Sequence, residues 1–261
     1  MSGEGIRWRS ITAVWWRNFH FYRHSWYLNV LPNFFEPLLY LLALGLGLGW
    51  YVREIHGIAY VVYLTPALIM MATINGASFE ATWNIYVRMN RDRRYDAILT
   101  TPVNEHEIVC GELLWAITRA TLYGLAFLIV AALFGLVTSL TVLWLLPLIP
   151  LTGYLLATIG MSYAMWIPTM DLFGFYWTCF MTPMFLLSDT FFPIADRLPS
   201  WAVAIAQVTP ILHCVQLARA ASLGTWHPKL IGDIAYILLA IPLLHWLAAR
   251  LFVRRLHRPA R

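Results

Sequence analysis

Six side chains able to carry charge or move a proton stand in apolar surroundings: Glu36, Glu80, Glu112, Arg119, Asp189 and His213. A charge at the centre of a membrane-crossing helix costs about 2.5–3.5 kcal/mol on insertion scales, so each needs a partner or a purpose. Glu112 and Arg119 are two helical turns apart and share one helix face. Two chemistries suit them. In one, Arg119 pairs with an acid on a neighbouring span and fixes packing; in the other, the pair gives a path a polar lining for a sugar or phosphate head group. A third chemistry would join His213 to Asp189 or Asp196 as the centre of a membrane-embedded enzyme acting on lipid. No other nucleophile, base and oxyanion set can be assembled. There is no Gly-x-x-x-x-Gly-Lys-Ser/Thr phosphate loop, and Gly45, Gly47 and Gly49 read as close helix packing. The eight histidines include one His-x-x-x-His spacing, His20 and His24, with no Glu-x-x-His pair, and no metal site is expected. Cys110, Cys179 and Cys214 are scattered and read as small apolar residues.

The elements that position these groups follow from composition. The 261 residues are 60% apolar, 15% aromatic and only 12% charged, against about 25% charged in soluble domains. This is the profile of a multi-pass membrane protein without a large soluble domain. A span needs roughly twenty apolar residues, which places six: 31–51, 59–82, 108–134, 141–166, 172–188 and 230–250. An even number puts both termini on one side. Thirteen of the eighteen basic residues fall there, among them Arg7, Arg17, Arg88, Arg91, Arg93, Arg94, Arg254 and Arg255, so that side is expected to be cytoplasmic. Glu36, Glu80 and Glu112 then lie near the cytoplasmic ends of their spans. No cleavable signal peptide is expected at the N-terminus.

Between the spans, three segments stand out. Residues 7–24 place Trp8, Ile11, Trp15, Phe19 and Tyr22 on one helical face and Arg9, Arg17, His20 and Arg23 on another, as in a helix lying in the membrane interface. The loop 83–107 contains a charged stretch, 87–99, whose Tyr95, Ile98 and Leu99 give a short helix one buried corner; Asn104 and Glu107 then have the spacing of a capping box. Finally, the apolar run Met184–Pro193 ends in prolines and half-length helices: Pro193, Ser200 as an N-cap, Thr209-Pro210 as a second start and Gly224 as its stop. Backbone broken at membrane depth survives only where protein or a water-filled cavity covers it.

The run Tyr95-Asp96-Ala97-Ile98-Leu99-Thr100-Thr101-Pro102, with Gly111-Glu112-Leu113-Leu114-Trp115-Ala116 after it, resembles the permease subunits of ABC-2 type exporters. So do Leu186-Leu187-Ser188, Phe191-Phe192-Pro193-Ile194, Leu198-Pro199-Ser200-Trp201, Thr209-Pro210-Ile211-Leu212-His213 and Arg219. Glu36-Pro37-Leu38-Leu39-Tyr40 and the glycines behind it extend the likeness to the lipooligosaccharide or nodulation-factor permeases. It covers nearly the whole chain. A departure is Asp189, where many relatives are expected to have glycine.

The resemblance implies an all-α integral membrane fold in one domain, 1–261. It would have six transmembrane helices, an interfacial connecting helix at 7–24, a coupling helix at 87–99, and a re-entrant helical pair at 190–224 dipping into the outer leaflet. It implies a dimer, expected to be a homodimer, in the bacterial cytoplasmic membrane. Each copy would dock a separate ABC ATPase that holds ATP and Mg, this chain binding no cofactor and hydrolysing nothing. Arg88, Arg91, Arg93, Arg94, Tyr95 and Asp96 would couple to that ATPase. Phe191, Phe192, Pro193, Pro199, Trp201 and Pro210 would form the re-entrant motif. The cargo implied is a lipid-linked glycan or lipooligosaccharide, with hydrophobic drug efflux as the alternative; no nucleic acid partner is implied. Tryptophans such as Trp15, Trp26, Trp50, Trp177 and Trp201 suit interface anchoring, or stacking on sugar rings.

Overall fold

The computed structural model describes residues 7–257, without the side chains of Ser25, residues 27–34, Glu36, Pro37 and Leu46. The chain is almost entirely helical. Its α-helices are α1 (Trp8–Tyr40), α2 (Gly49–Tyr51), α3 (Tyr60–Phe79), α4 (Arg94–Leu99), α5 (Glu105–Leu133), α6 (Leu145–Trp166), α7 (Phe173–Phe175), α8 (Thr182–Leu186), α9 (Ile194–Arg197), α10 (Ser200–Val208), α11 (Pro210–Leu223) and α12 (Leu230–Leu256). A hairpin of two short antiparallel strands, β1 (Glu54–Ile55) and β2 (Ile58–Ala59), turns at His56-Gly57, both with positive φ.

Four helical runs are long and apolar enough to cross a membrane: Tyr60–Arg91, Glu105–Leu133, Leu140–Trp166 and Leu230–Leu256. They coincide with four of the expected spans. A fifth candidate is the pair α10 and α11, bent by 89°. The expected span at 172–188 is a helical run broken in character, α7 and α8 joined by π-helical turns over Tyr176–Met181. The second span continues beyond residue 82 because Glu80 and Arg88 satisfy each other two turns apart, so the charges do not end the helix.

The N-terminal segment differs from expectation. The stretches 7–24 and 31–51 were expected as two elements; α1 runs unbroken to Tyr40 and continues through π-helical turns (Leu41–Leu48) into α2. Its first turns run along α5 in the same direction. Arg7 reaches Glu107, the Trp15 indole donates to Thr118 at 2.9 Å, and the Tyr22 and Tyr123 hydroxyls lie 3.3 Å apart. The aromatic face drawn on the helical wheel turns mostly toward protein: Ile11 is buried, and Trp15, Phe19 and Tyr22 gather around the buried Trp115, whereas Trp8 is exposed. Gly111 permits this approach, since a Cβ there would come within 2.6 Å of Val14 and 3.0 Å of the Ile11 carbonyl. Gly76 against Tyr123, Gly124 against Thr73 and Ile149, and Gly153 against Ala120 bring α3, α5 and α6 together in the same way. Of the glycines first suspected, Gly45 meets Val61 at 3.0 Å, but Gly47 faces open space.

Helices α1 and α5 start, and the Tyr60–Arg91 run, α6 and α12 finish, at one end of the bundle, where Arg88, Arg91, Arg93, Arg94, Arg254 and Arg255 collect; this is called the basic end. The box expected at Asn104 and Glu107 caps α5 there: Glu107 N–H donates to Asn104 Oδ1 at 2.8 Å and Asn104 N–H to Glu107 Oε2 at 2.9 Å.

Candidate functional site

Just inside the basic end, charges from three helices meet in a buried network. Glu80 is 1% exposed, Glu112 0% and Arg119 1%, a burial tolerable only with full pairing. Arg88 bridges the two carboxylates, one Nη donating to Glu80 Oε1 and the other to Glu112 Oε2. Arg119 donates to Glu80 Oε2 and, at 2.7 Å, to the Tyr123 hydroxyl; Asn84 donates to Glu80 at 2.6 Å. From α1, Arg17 and Asn18 reach Glu112 at 2.6 and 3.0 Å. The four most buried charges sum to zero, and the half-buried Arg17 adds one positive charge at the edge. Each carboxylate oxygen has at least one donor. The network therefore ties α1, α5 and the Tyr60–Arg91 span into one body, and its acids hold arginines.

A cavity of about 220 Å³ opens beside it, walled by Phe21, Tyr22 and Trp115 and by the charged groups of Glu80, Arg88 and Arg119. The two-turn spacing of Glu112 and Arg119 does bring both into the network, but they do not pair with each other: each finds its partner on another helix. The Glu36 side chain lies outside the described residues.

The loop outward of the network is built differently from the single helix expected over 87–99. Val87–Arg91 continues the second span as π-helical turns, and Arg93, at φ 48°, breaks the chain in the left-handed region before α4 begins at Arg94. Arg88 thus belongs to the network, and Tyr95 is buried edge-on against Phe252 of α12, their rings 5.1 Å apart. Burial pushes the Tyr95 phenol well above its usual pKa, with the Glu112 charge adding to the shift. Arg94 pairs with Asp92 at 2.7 Å and lies over the Phe21 ring at 4.7 Å. Arg91, Arg93 and Asp96, with Leu99 to Pro102, remain exposed. The outward surface of α4 is therefore small, polar and mounted on a buried contact to α12 and a surface contact to α1.

The pattern of a family of membrane transporters, the ABC-2 type transporter, matches residues 9–223. The chain is 36% identical to Nodulation protein J of Rhizobium leguminosarum bv. viciae over 220 residues, 84% of this chain and 83% of that one. It is 36% identical to Nodulation protein J of Sinorhizobium fredii (strain NBRC 101917 / NGR234) over 211 residues, 81% and 80% of the two chains. It is also 22% identical to the inner membrane transport permease YadH of Escherichia coli (strain K12) over 244 residues, 92% and 94% of the two. The chain belongs to the ABC-2 type transporter family. It is an integral membrane protein and a transport permease.

At the opposite end of this ABC-2 permease, the expected re-entrant region is a chain of short helices. Asp189 sits at φ 57°, a left-handed position that favours glycine, which gives a physical reason for expecting glycine there. Its side chain closes the turn: Oδ1 accepts from Ile194 N–H at 2.8 Å and Oδ2 from Gln216 at 2.9 Å. Its carbonyl accepts from Tyr63 and Arg219, and the Arg219 guanidinium lies 3.9 Å over the Tyr63 ring. The turn is thereby pinned to both α3 and α11. Phe191, Phe192 and Pro193 line a cavity of about 750 Å³ with the β1–β2 hairpin and Tyr60.

Pro199 occupies the N-cap of α10 and Ser200 its first turn, contrary to the expected Ser200 cap; the fixed φ of proline, here −64°, already sets the extended entry. Thr209 and Pro210 start α11, and Gly224 ends it at φ 71°, both as expected. Trp201 is exposed on α10. His213 pairs with Asp233 of α12 at 2.6 Å and stacks on Tyr236, whereas Asp196 pairs with His56 at 2.9 Å. His213, Asp189 and Asp196 thus have separate partners, and no catalytic cluster forms from them.

One residue with a positioning role was read in the sequence only as a topology charge. Arg255 of α12 donates to Met165 O at 3.1 Å and to Ile167 O, at the open end of α6, and to Asn90 Oδ1 at 3.1 Å. A cation at a helix C-terminus satisfies carbonyls that lack helical partners. The Arg-Arg pair at 254–255 was the available signal, but nothing in it pointed to α6.

Proposed function

We propose that this chain is the permease subunit of an ATP-driven exporter of a lipid-linked glycan or lipooligosaccharide. It would work as a homodimer in the bacterial cytoplasmic membrane, with the basic end and both termini cytoplasmic. The observation that carries the transport reading is membership of the ABC-2 family across residues 9–223. The cargo rests on the likeness to Nodulation protein J over four-fifths of both chains. ATP hydrolysis belongs, on this reading, to a separate ABC ATPase subunit carrying ATP and Mg.

The exposed part of α4, with Arg91, Arg93, Arg94 and Asp96, is where that ATPase would dock. Its contacts suit the role of a lever. Tyr95 hands a push to α12 through Phe252, Arg94 hands it to α1 through Phe21, and the Arg88 network makes α1, α5 and the Tyr60–Arg91 span move as one. Transport then requires that ATPase closure favour one arrangement of these helices over another, because a ligand shifts an equilibrium only by its differential affinity for the two states. The 750 Å³ cavity beside Phe191 and Phe192 offers an apolar wall with a polar rim at the end where an exported amphiphile would leave.

The test is co-expression with a candidate ATPase, purification into lipid nanodiscs, and hydrolysis measured with lipid-linked oligosaccharides and then with hydrophobic drugs. Stimulation by the glycolipid supports the proposal, drug stimulation alone moves the assignment to efflux, and failure to co-purify with any ATPase removes the exporter reading. Arg93→Glu and Asp96→Lys are expected to lower ATPase stimulation or assembly with expression intact; unchanged transport in both sinks the lever.

A further inference from the structure

The outer cavity of about 750 Å³ has one fixed wall and one light one. Phe191, Phe192 and Pro193 belong to the fixed wall, because the turn before them is pinned to α3 and α11 through Asp189. The other wall is the β1–β2 hairpin, with two residues in each strand. A two-stranded hairpin is marginally stable by itself. Tyr51 to Glu54, His56 and Gly57 are exposed, whereas Ile55 and Ile58, paired across the strands, are half-buried, and Ile55 lies on the cavity. The hairpin thus lays an apolar underside over an apolar space.

Its base and tip are held differently. At the base Tyr60 is buried, its N–H donating to Arg53 O and its hydroxyl to Phe191 O, each at 3.2 Å. At the tip His56 Nε2 meets Asp196 Oδ2 of α9 at 2.9 Å, with both side chains more than half exposed. A pair so exposed contributes little and breaks readily. His56 and Gly57 both have positive φ, 52° and 76°, in the kind of turn usually made by Asn-Gly or Asp-Gly. Histidine in the first place gives the turn an arm long enough to reach α9.

We propose that the hairpin is a lid on the outer cavity, latched to α9 by His56 and Asp196 and hinged at its Tyr60 base. This rests on the reading of that cavity as the way out for an exported amphiphile. With the latch shut, Ile55 covers the apolar wall; with it open, the tip leaves α9, the base contacts stay, and an acyl-bearing molecule has a passage between the hairpin and Phe192. Weakness suits the pair to this role, since breaking a buried pair would be strongly unfavourable at each opening.

The first experiment needs no ATPase: the rate at which a membrane-impermeant maleimide labels Ile55→Cys in lipid nanodiscs, corrected for the labelling of wild type. Adding Asp196→Ala should raise the rate about two- to five-fold, the effect on an equilibrium of losing one exposed pair. Adding His56→Asn, which tolerates the turn but falls short of α9, should do the same, and the two together should do no more, because they break one contact. Glu54→Gln, a charge on the same rim outside the pair, should change nothing. Unchanged rates with the latch variants, or an equal rise with Glu54→Gln, overturn the lid. The second experiment joins His56→Cys to Asp196→Cys with a short reducible bis-thiol reagent in the complex with its ATPase. Glycolipid-stimulated hydrolysis should be lost and should return on reduction. Stimulation that persists under complete cross-linking overturns the lid and leaves the exporter reading standing. Absence of stimulation in the wild-type complex removes the exporter reading, and the labelling then decides the lid alone.

Discussion

Arg88→Met probes the buried network most directly. In the folded chain Arg88 joins Glu80 and Glu112, both at least 99% buried, from the end of the second span. Its loss leaves Glu80 with Arg119 and Asn84, and Glu112 with the half-exposed Arg17 and Asn18, so two carboxylates in low dielectric keep only part of their compensation. Removing one partner of a buried ion pair costs about 3–5 kcal/mol, most of it the desolvation of the charge left behind. For a chain of this size each kcal/mol corresponds to about 2–4 °C, so the melting temperature should fall by about 6–20 °C. The assay is thermal unfolding in detergent at a fixed scan rate, because unfolding of such proteins is commonly irreversible and the midpoint depends on rate. Arg88→Met combined with Glu112→Gln removes the carboxylate that loses its buried partner while Glu80 keeps Arg119, and should recover most of the loss, a non-additivity expected of groups in one network. A midpoint for Arg88→Met within about 2 °C of wild type, or a double variant far worse than the single, would refute the claim that these charges are held by mutual pairing.

Three further outcomes follow from particular contacts. Gly111→Val should force α1 away from α5, because even a Cβ meets Val14 at 2.6 Å; overpacking of this kind costs about 1–3 kcal/mol, read as a lower melting temperature and faster proteolysis near residue 20. Asp189→Ala keeps the unfavourable left-handed backbone and loses the bonds to Ile194 and Gln216, whereas Asp189→Gly loses the bonds but relaxes the backbone. The glycine variant should therefore be more stable than the alanine variant by about 1 kcal/mol, and the reverse order would discard the left-handed strain at this position. The buried Tyr95 phenol, raised above its usual value, stays protonated in the folded chain. Its contribution is full below the unfolded pKa of about 10 and declines as pH rises beyond it, so Tyr95→Phe should shrink the alkaline fall in melting temperature; an unchanged slope would contradict its burial.

Local pattern carried much of this protein. The apolar lengths of four spans, the Asn104–Glu107 cap, the Thr209-Pro210 start and the Gly224 stop are each written within a few residues, because hydropathy, caps and positive φ are local properties. The family was legible for the same reason, since its motifs are short runs at turns. Where the sequence misled, a distant partner had decided the matter. The aromatic face of residues 7–24 has the same period whether it meets lipid or Trp115, and only the gap at Gly111, far along the chain, turns it inward. Arg88 and Arg93 are alike as letters, yet one lies at the centre of a buried network and the other on an exposed surface, because Glu80 and Glu112 stand beside the first and a left-handed turn carries the second away. The sequence by itself determined that charges lie within the spans and that they need company; the tertiary structure alone decided which partners they have, because pairing across helices depends on packing, and packing is not a local property.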